Sequence, residues 1–261
     1  MRLVWLASFP KSGNTWARFL LYQYLHGEAT SSAQISREIP DVHAPGEFQR
    51  AAATPGRTLL IGKTHFMYQP SVQGERFIYL VRHPRDVIQS VMNFVRLLSG
   101  TNPYRSLTDE QYVRMFIQAG RNPLNLQAEY GTIEQHWHSW LDQQRLPGLV
   151  VRYEDLKSDS LRELRRMVEW LGEPFDEARA RRAVELSSFD RMRAIEIREK
   201  TAGQEGTVFF GARQKVREGV LFMNKGQSGR SLDRIAKGLD ALCDARFKET
   251  IEKFGYAAPA S

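Results

Sequence analysis

The sequence of 261 residues contains only one cysteine, Cys243. One thiol excludes a disulfide framework and any zinc site built from several thiolates, and it is typical of proteins in a reducing compartment. No apolar run approaches the roughly 18 residues that a membrane-spanning helix needs. The first apolar stretch, Leu3–Ala7, meets Pro10 and Lys11 too soon to be the core of an export signal. These absences predict a cytoplasmic location without a membrane segment.

The composition is that of a globular protein. Hydrophobic residues make up 42% of the chain and charged residues 26%, values that exclude general disorder and a fibrous protein. The length fits a single α/β domain or a core domain with helical additions. The net charge of +7 favours an anionic partner, such as nucleic acid, an acidic membrane surface or a phosphorylated small molecule.

Apolar strand patterns alternate with helix patterns along the chain. One helical pattern ends at Gly27, another begins at Pro84, and a third begins with the capping box Ser160-x-x-Glu163. This alternation predicts a parallel sheet covered by helices on both faces, with ligands at the carboxyl ends of the strands. Four short apolar runs have the pattern of buried parallel strands: Leu3–Ser8, Thr58–Ile61, Phe77–Val81 and Leu149–Val151.

Two segments, 97–130 and 199–219, interrupt the alternation. The first has glycines and prolines around one amphipathic stretch, Tyr112–Ile117, and the second is rich in glycine and in charged residues. Long irregular segments in a compact domain are usually lids, binding loops or disordered pieces.

The turn after the first strand has the residues of a phosphate-binding loop. A strand, a tight glycine turn, a lysine and two hydroxyl residues precede a helix, whose unpaired amides and dipole both attract an anion. The loop differs from the nucleoside-triphosphate pattern G-x-x-x-x-G-K-[ST], because Lys11 precedes its only glycine. An ordinary strand–helix turn is the alternative. The loop reads Phe9-Pro10-Lys11-Ser12-Gly13-Asn14-Thr15-Trp16.

The next two strand ends carry further candidate residues. The second strand ends in Lys63-Thr64-His65, and a histidine with the ordinary pKa near 6.5 can accept a proton at neutral pH. Arg82 ends the third strand, where its planar guanidinium suits a phosphate, and Ser90 lies on the following helix. A packed histidine and a structural ion pair are the alternatives.

The remaining histidines and the cysteine do not form a metal pattern. His136 and His138 are two residues apart on the helical stretch Ile133–Leu141, which puts them on nearly opposite faces. Cys243 lies in a C-terminal helical pattern, where we expect a buried apolar thiol. We therefore predict no metal site.

In combination, these motifs resemble those of the sulfotransferases that use 3′-phosphoadenosine 5′-phosphosulfate (PAPS), and the similarity runs through most of the chain. Within that family the chain is most similar to bacterial enzymes that sulfate antibiotics such as teicoplanin-type glycopeptides. Four segments carry this narrower similarity: His65-Phe66, Val151–Leu156, Arg191–Arg193 and Phe254–Tyr256. Six segments carry the family resemblance: Pro10–Trp16, Lys63–His65, Arg82–Ser90, Tyr153–Leu156, Ser187–Phe189 and Phe222–Gly226.

The resemblance implies a single sulfotransferase domain over residues 1–261, with a P-loop-like fold in which helices flank a central parallel sheet. It implies transfer of a sulfuryl group from PAPS to a hydroxyl group of a small molecule, which leaves adenosine 3′,5′-bisphosphate (PAP) and needs no metal. Segments 97–130 and 199–219 are then the candidate walls and lid of the acceptor site. Their aromatic residues favour an apolar or aromatic acceptor: Tyr104, Tyr112, Phe116, Phe209 and Phe210.

The resemblance also implies a role for each residue of the site. His65 would take the proton of the acceptor, Lys11 would stabilise the leaving phosphate, and Lys63 would act on the transferring group. Ser12, Gly13, Asn14 and Thr15 would bind the 5′-phosphate, and Arg82, Ser90 and Lys225 the 3′-phosphate. The rings of Trp16, Tyr153 and Phe189 would pack against the adenine. Further cofactor contacts would come from Ser187, Met223 and Gly226.

The sequence departs from the animal cytosolic members of that family at two positions. Those enzymes usually have arginine at the position of Asn224 and tryptophan at that of Ser231. No C-terminal segment matches their dimerisation motif, so a monomer and a homodimer both stay open. Several basic residues could supply the missing charge: Arg213, Lys215, Arg217 or Arg230.

Two other functions explain part of the pattern. A small-molecule kinase would use ATP and magnesium, with Asp155 or Asp86 as a metal ligand, but the lysine-after-glycine loop that it needs is missing. A nucleic-acid-binding protein would account for the net charge, but not for Lys11, His65 and Arg82 at three strand ends. We therefore expect a small-molecule acceptor as the partner, and neither nucleic acid nor a membrane.

Overall fold

The computed structural model describes residues 1–97, 106–124, 128–143, 145–204, 208–209, 216, 219–224 and 226–256. These residues contain four strands: β1 (Arg2–Ser8), β2 (Leu59–Thr64), β3 (Arg76–Val81) and β4 (Gly148–Arg152). All neighbouring strands are parallel, and their order in the sheet is β2-β1-β3-β4. The predicted α/β architecture with a central parallel sheet is therefore confirmed.

Each predicted strand is present, and β2 extends beyond the apolar run Thr58–Ile61. Its pairing with β1 continues as far as Ala7↔Thr64, in agreement with the predicted strand end at Lys63-Thr64-His65. The extra residues include Lys63, whose charge hides the strand in a hydropathy pattern. Lys63 is nevertheless buried, because its ammonium pairs with the carboxylate of Asp41.

Helices connect the strands and extend the chain beyond them. None of the helices in the described part of the chain is both long and apolar enough to cross a membrane. The helices are α1 (Asn14–His26), α2 (Ser32–Glu38), α3 (Glu47–Ala52), α4 (Pro84–Leu97), α5 (Asp109–Ala119), α6 (Ile133–Leu141), α7 (Tyr153–Ser158), α8 (Ser160–Trp170), α9 (Glu177–Leu186), α10 (Phe189–Thr201), α11 (Leu239–Arg246) and α12 (Lys248–Lys253).

The sheet separates two hydrophobic cores, because successive side chains of a strand point to opposite faces. Val4 and Leu6 of β1 belong to the core formed with α1, α8 and α9. Trp5 and Ala7 belong to the core formed with α4, α5, α6, α11 and α12. Cys243 is fully buried in this second core, as predicted. Both faces of the sheet are therefore covered, and the carboxyl ends of the strands are left for a site.

The predicted capping box of α8 is wrong by one residue. Asp159 is the N-cap, and its carboxylate accepts the Arg162 N–H at 2.9 Å. Ser160 is the first helical residue instead, and its hydroxyl donates to the Leu156 carbonyl at 2.8 Å. A carboxylate at this position both caps the helix and complements its dipole, which explains why Asp159 takes the cap.

The described part of segment 97–130 is more regular than the glycines and prolines of the segment suggest. It contains α5 and a short 3₁₀ helix, Ala128–Tyr130. Tyr112 and Phe116 of α5 are fully buried in the second core. Both residues were expected near an acceptor, and that expectation is wrong because α5 turns its apolar face to the core.

Segment 199–219 is described only in part. α10 continues into it as far as Thr201. Phe209 is buried, with its ring centre 5.7 Å from that of Phe19 and 6.1 Å from that of Phe222. Phe209 therefore packs in the core between α1 and a later segment. Tyr104 and Phe210, the other two predicted aromatic residues, lie outside the described residues.

Candidate active site

The carboxyl ends of β1, β2 and β3 open onto one cavity of about 450 Å³. Lys11, His65 and Arg82, which follow these three strands, all line it. Open parallel sheets bind their ligands at this place. Most of the other residues predicted for the site line the same cavity: Gly13, Asn14, Thr15, Trp16, Lys63, Ser90, Tyr153, Phe189, Met223 and Gly226.

Three predicted residues are not among those that line the cavity. Ser12 is buried within the loop that begins the site. Ser187 is fully buried at the end of α9, and its hydroxyl has no hydrogen-bond partner among the described residues. Lys225 lies outside the described residues.

The loop between β1 and α1 is shaped by two residues with positive φ. Lys11 has a φ of 72° and Gly13 a φ of 100°. Residues in such turns direct their main-chain N–H groups into one concave surface that binds anions. None of the described side chains caps the N-terminus of α1, so its first N–H groups are available to a ligand. A Cβ atom on Gly13 would lie 2.6 Å from the Tyr153 ring, so only glycine fits.

Asn14 anchors this loop to the strand before it. Its side-chain amide donates to the Leu6 carbonyl at 3.1 Å and to the Ser8 hydroxyl at 3.2 Å. Both bonds are buried. Its amide nitrogen therefore holds the shape of the loop, and its buried amide oxygen has no hydrogen-bond partner among the described residues.

The Lys11 side chain lies against aromatic rings. Its Nζ is 3.6 Å from the centre of the Phe222 ring and 4.9 Å from that of Phe94. Desolvation, followed by the charge of Arg82, lowers the pKa of Lys11 to about 7. An anion bound beside Lys11 would favour the protonated form again.

Arg82 joins the loop to the C-terminal part of the site. Its guanidinium donates to the Lys11 carbonyl at 3.2 Å and to the Gln227 carbonyl at 2.8 Å. The guanidinium carbon also lies 4.1 Å from the centre of the Tyr153 ring. Its Nε is buried and has no hydrogen-bond partner among the described residues, so this N–H group is available to a ligand.

Residues 219–224 and 226–230, which we call the strap, cross the cavity without regular secondary structure. Side chains of α10 bond to the main chain of its first half. The buried Glu196 carboxylate accepts the Phe222 N–H at 2.6 Å and the Met223 N–H at 2.8 Å. Arg193 donates to the Asn224 carbonyl at 3.1 Å.

The second half of the strap is held by α4. The buried Asp86 carboxylate accepts the Gly229 N–H at 2.9 Å, and Gln89 donates to the Arg230 carbonyl at 2.7 Å. Asn93, one turn later on α4, donates to the Leu221 carbonyl in the first half of the strap at 2.9 Å. These contacts were not predicted from the sequence, although the spacing of Asp86, Gln89 and Asn93 places the three side chains on one face of α4.

Arg230 is the basic residue of the strap that meets the cavity. It lines the cavity, and its buried Nε has no hydrogen-bond partner among the described residues. Of the four residues considered as replacements for the charge absent at Asn224, it alone is described. The other three lie outside the described residues: Arg213, Lys215 and Arg217.

Lys63 is paired with a residue that the sequence did not indicate. Its Nζ is 2.8 Å from the Asp41 carboxylate, and both side chains are buried. Desolvation lowers the pKa of Lys63 to about 8, although Asp41 opposes the shift. Asp41 follows α2 and forms an isolated bridge with Lys63, a long-range contact that no local pattern shows.

His65 is held as a neutral imidazole. Its Nδ1 lies 2.8 Å from the Ser8 carbonyl, which can only accept a hydrogen bond, so Nδ1 carries the proton. The lone pair is therefore on Nε2. Desolvation, followed by the charge of Lys63, lowers the pKa of His65 well below its ordinary value. A neutral imidazole with a free Nε2 can act as a general base.

The three aromatic side chains predicted to pack against adenine all line the cavity. The Trp16 and Tyr153 rings meet edge to face with their centres 5.8 Å apart. A Cβ atom on Gly226 would lie 2.7 Å from the Phe189 ring, so the strap passes close to that ring. The buried Trp16 N–H has no hydrogen-bond partner among the described residues. Rings together with unpartnered buried donors fit a phosphorylated adenine nucleotide such as PAPS.

The two histidines of α6 have different surroundings, as their spacing predicted. His136 is fully buried, with Nδ1 2.8 Å from the Tyr79 hydroxyl and Nε2 3.0 Å from the His65 carbonyl. His138 is exposed and lies 2.8 Å from Glu249. Within the described residues, no cluster of three or more histidine, cysteine, aspartate or glutamate side chains could hold a metal ion.

Comparisons with known proteins identify a domain family that covers most of the sequence. A model of the sulfotransferase domain matches residues 2–255. Rat sulfotransferase 1A1 is 27% identical over 202 residues, which cover 72% of this chain and 66% of the rat protein. Flavonol 3-sulfotransferase of Flaveria bidentis is 25% identical and is matched over 74% of this chain and 66% of its own length. The chain thus spans slightly less than two thirds of these relatives.

Solved structures show the same fold. A retinol dehydratase in complex with androsterone and the inactive cofactor PAP has a TM-score of 0.69 at 20% identity, covering 99% of this chain and 84% of that one. Mouse sulfotransferase SULT7A1 in complex with PAP has a TM-score of 0.66 at 19% identity, covering 98% and 89%. Because the domain model spans nearly the whole sequence, the chain belongs to the sulfotransferase family.

Proposed function

We propose that this protein transfers a sulfuryl group from PAPS to a hydroxyl group of a small molecule and releases PAP and a sulfate ester. The observation that carries the proposal is that Lys11, His65 and Arg82 line one cavity at the carboxyl ends of three strands. Two relatives are named sulfotransferases, and two structural neighbours were solved with PAP, which supports the same cofactor here.

The proposed chemistry assigns one task to each charged or basic side chain. PAPS, when bound, supplies a sulfuryl group whose transfer leaves negative charge on the 5′-phosphate. His65 Nε2 accepts the hydroxyl proton of the acceptor, a contribution of typically about 10²- to 10⁴-fold in rate. Lys11 stabilises the charge on the leaving phosphate, and Lys63 acts on the oxygens of the transferring group. These cations take the place that magnesium has in phosphoryl transfer, so we propose a reaction without a metal.

The same cavity offers partners for both ends of the cofactor. The main-chain N–H groups at the start of α1 bind the 5′-phosphate. Arg82 and Ser90 bind the 3′-phosphate, and Arg230 supplies the charge that is absent at Asn224. Lys225 is proposed to assist at the same phosphate. The adenine packs among three rings: Trp16, Tyr153 and Phe189.

The acceptor is proposed to be a small molecule with an apolar or aromatic framework. The retinol dehydratase neighbours were solved with androsterone and with retinol, which supports an acceptor of this kind. The narrower similarity to enzymes that sulfate antibiotics supports a bacterial secondary metabolite. The single cysteine supports a cytoplasmic location.

The test is transfer of labelled sulfate from PAPS by the full chain in excess chelator, with ATP as the competing donor. Phenolic, sugar and peptide hydroxyl compounds serve as acceptors. We expect chelator-resistant transfer from PAPS, binding of PAP in calorimetry and no retention on duplex DNA. Transfer from ATP that needs magnesium, or DNA binding that falls steeply with salt, would contradict the proposal.

A variant pair tests the proposed base. His65→Ala should abolish turnover and change the affinity for PAP by less than about twofold, because the base contacts the acceptor and not the cofactor. His138→Ala, on the exposed side of α6, should keep both properties. Turnover of His65→Ala at the wild-type rate would remove His65 from the mechanism.

A further inference from the structure

His43 lies in the proposed active site, although the chemistry above gives it no task. It follows α2, lines the same cavity as His65, and is two residues from Asp41. Its ring centre is 5.6 Å from that of His65, 4.2 Å from that of Phe66 and 5.4 Å from that of Tyr130. His43 is therefore in contact with the proposed base and with a wall of the cavity.

The hydrogen bonds of His43 determine which ring nitrogen carries its proton. The main-chain N–H of His65 donates to His43 Nε2 at 2.8 Å. An N–H group can only donate, so Nε2 has no proton of its own and the proton of the neutral ring is on Nδ1. His43 Nδ1 lies 3.2 Å from the Tyr130 hydroxyl oxygen. The Nδ1–H group therefore donates to that oxygen.

The charge state of His43 agrees with this assignment. Desolvation, followed by the charge of Lys63, lowers the pKa of His43 to about 4. The ring is therefore neutral throughout the pH range in which an enzyme of this kind is assayed, and it can accept the His65 N–H at all of those pH values.

The bond to His43 leaves the Tyr130 proton for another partner. A phenol oxygen that accepts one hydrogen bond still donates its own proton. Tyr130 and His65 line the same cavity, and their ring centres lie 5.4 Å and 5.6 Å from that of His43. A hydroxyl group can accept one hydrogen bond and donate another at the same time. Tyr130 and His65 can therefore bind the same acceptor hydroxyl.

His136 holds the other main-chain polar group of His65, its carbonyl. Its Nδ1 lies beside the Tyr79 hydroxyl at 2.8 Å, and its Nε2 lies 3.0 Å from the His65 carbonyl. A carbonyl can only accept, so His136 Nε2 carries the proton and donates it there. The main chain of His65 is thus bonded to an imidazole through its N–H group and to another through its carbonyl.

We propose that His43 is a positioning residue for sulfuryl transfer: its Nε2 holds the main chain of the base His65, and its Nδ1–H orients the Tyr130 hydroxyl to donate to the acceptor's hydroxyl oxygen. The proposal rests on the proposed function. In that step the acceptor oxygen forms a bond to sulfur, the bond from sulfur to the leaving phosphate oxygen breaks, and the acceptor proton moves to His65 Nε2. His43 itself exchanges no proton.

Two isosteric variants separate the two bonds of His43. The Gln side chain places an oxygen near the position of Nε2, so His43→Gln keeps an acceptor for the His65 N–H and loses the donor to Tyr130. The Asn side chain places an amide nitrogen near the position of Nδ1, so His43→Asn keeps the donor to Tyr130 and loses the acceptor. A merely structural histidine would make the two variants alike.

The kinetic test uses 2-naphthol as the acceptor probe and PAPS as the donor. His43→Asn should lower kcat by about tenfold or more, because small displacements of a reacting group are costly. His43→Gln should raise the KM for 2-naphthol about two- to tenfold, the value of one neutral hydrogen bond, and change kcat little. Tyr130→Phe should match His43→Gln, and the double variant should be no worse than either single variant. The affinity for PAP should stay unchanged in all of them.

A second measurement does not depend on turnover. Long-range ¹H–¹⁵N NMR of the full chain with labelled histidine should show the Nδ1–H form for His43 and the Nε2–H form for His136. Those forms without PAPS-dependent transfer would contradict the proposed function and leave the His43 assignment standing. The Nε2–H form of His43, equal kinetics of His43→Gln and His43→Asn, or additive losses in the double variant would overturn the present proposal.

Discussion

The Lys11 ammonium lies 3.6 Å from the centre of the Phe222 ring. A ring face attracts a cation, but it lacks the full negative charge of a carboxylate. Because desolvation and the nearby charge of Arg82 both disfavour the protonated form, the pKa of Lys11 is lowered to about 7. In the ligand-free protein Lys11 therefore loses its charge at a much lower pH than an ordinary lysine.

This pKa predicts different pH profiles for two kinetic constants. The ratio kcat/KM for PAPS reports the free protein, so it should fall as the pH rises through about 7, where Lys11 loses its charge. In the loaded protein the phosphates favour the charged lysine, so kcat should fall only at higher pH. Lys11→Arg is the control: its guanidinium stays charged, and the fall near pH 7 should disappear although the rate is lower. A profile for wild-type kcat/KM that stays flat across this region would contradict the assignment.

Arg82 should discriminate between nucleotides with and without a 3′-phosphate. Arg82→Ala is expected to weaken PAP binding by about tenfold or more, since a charge-assisted bidentate contact is lost. The affinity for adenosine 5′-phosphosulfate, which has no 3′-phosphate, should change much less. Arg85→Ala is the matched control, because Arg85 pairs with Asp240 and Asp244 of α11. This variant should lower only the stability of the protein. Equal losses for both nucleotides in calorimetry would show that Arg82 is structural.

The residues that directly follow strands could be predicted from the sequence. Lys11, His65 and Arg82 each come after a buried apolar run, and parallel strands bring their carboxyl ends to one edge of the sheet. Local patterns therefore carried both the architecture and the position of the cavity. They also placed Cys243 in the core, because it lies on the apolar face of a helix.

The residues that hold the site from a distance could not be predicted in this way. His43 and Glu196 accept hydrogen bonds from main-chain N–H groups that are distant in the sequence. Because main-chain groups are alike in almost all residues, no residue pattern indicates these partners. Asp41 is recognisable only through its ion pair with Lys63. The composition of segment 97–130 was misleading for a related reason, since the aromatic character of Tyr112 does not show which side of its helix meets the core.

Gly13 should be intolerant of any side chain. Gly13→Ala combines a φ of 100°, which costs an L-residue about 1–2 kcal/mol, with a Cβ atom 2.6 Å from the Tyr153 ring. We expect it to abolish measurable PAP binding, because the loop must shift. Gly27→Ala, at the other end of α1, has a φ of 88° but none of the described residues places an atom within 4 Å of the new Cβ. It should lower the stability at least as much, because a φ of 88° with a ψ of −163° is a conformation that essentially only glycine adopts, and it should keep PAP affinity. Loss of binding in both variants would mean that strain in α1, and not the contact with Tyr153, controls the loop.

Glu196 should affect PAP binding through the strap, although it does not line the cavity. Its carboxylate accepts N–H groups of both Phe222 and Met223, two strap residues that do line the cavity. In Glu196→Gln the amide has one oxygen, so an N–H donor of the strap would face the NH₂ group. We expect PAP affinity to fall about tenfold, because a bond to a charged group is worth about 1.5–3 kcal/mol and part of the loss is recovered by relaxation.

The matched control for Glu196 is its neighbour on α10. Glu199 is also buried, but it accepts the N–H and hydroxyl groups of Ser32, away from the strap. Glu199→Gln should therefore keep PAP affinity and lower the melting temperature, although less than Glu196→Gln, which also removes the carboxylate that pairs with the buried Lys200. Calorimetry with PAP on the two folded variants decides the matter. Wild-type PAP affinity in both variants would show that the strap keeps its place without the Glu196 carboxylate, and that the carboxylate contributes to stability alone.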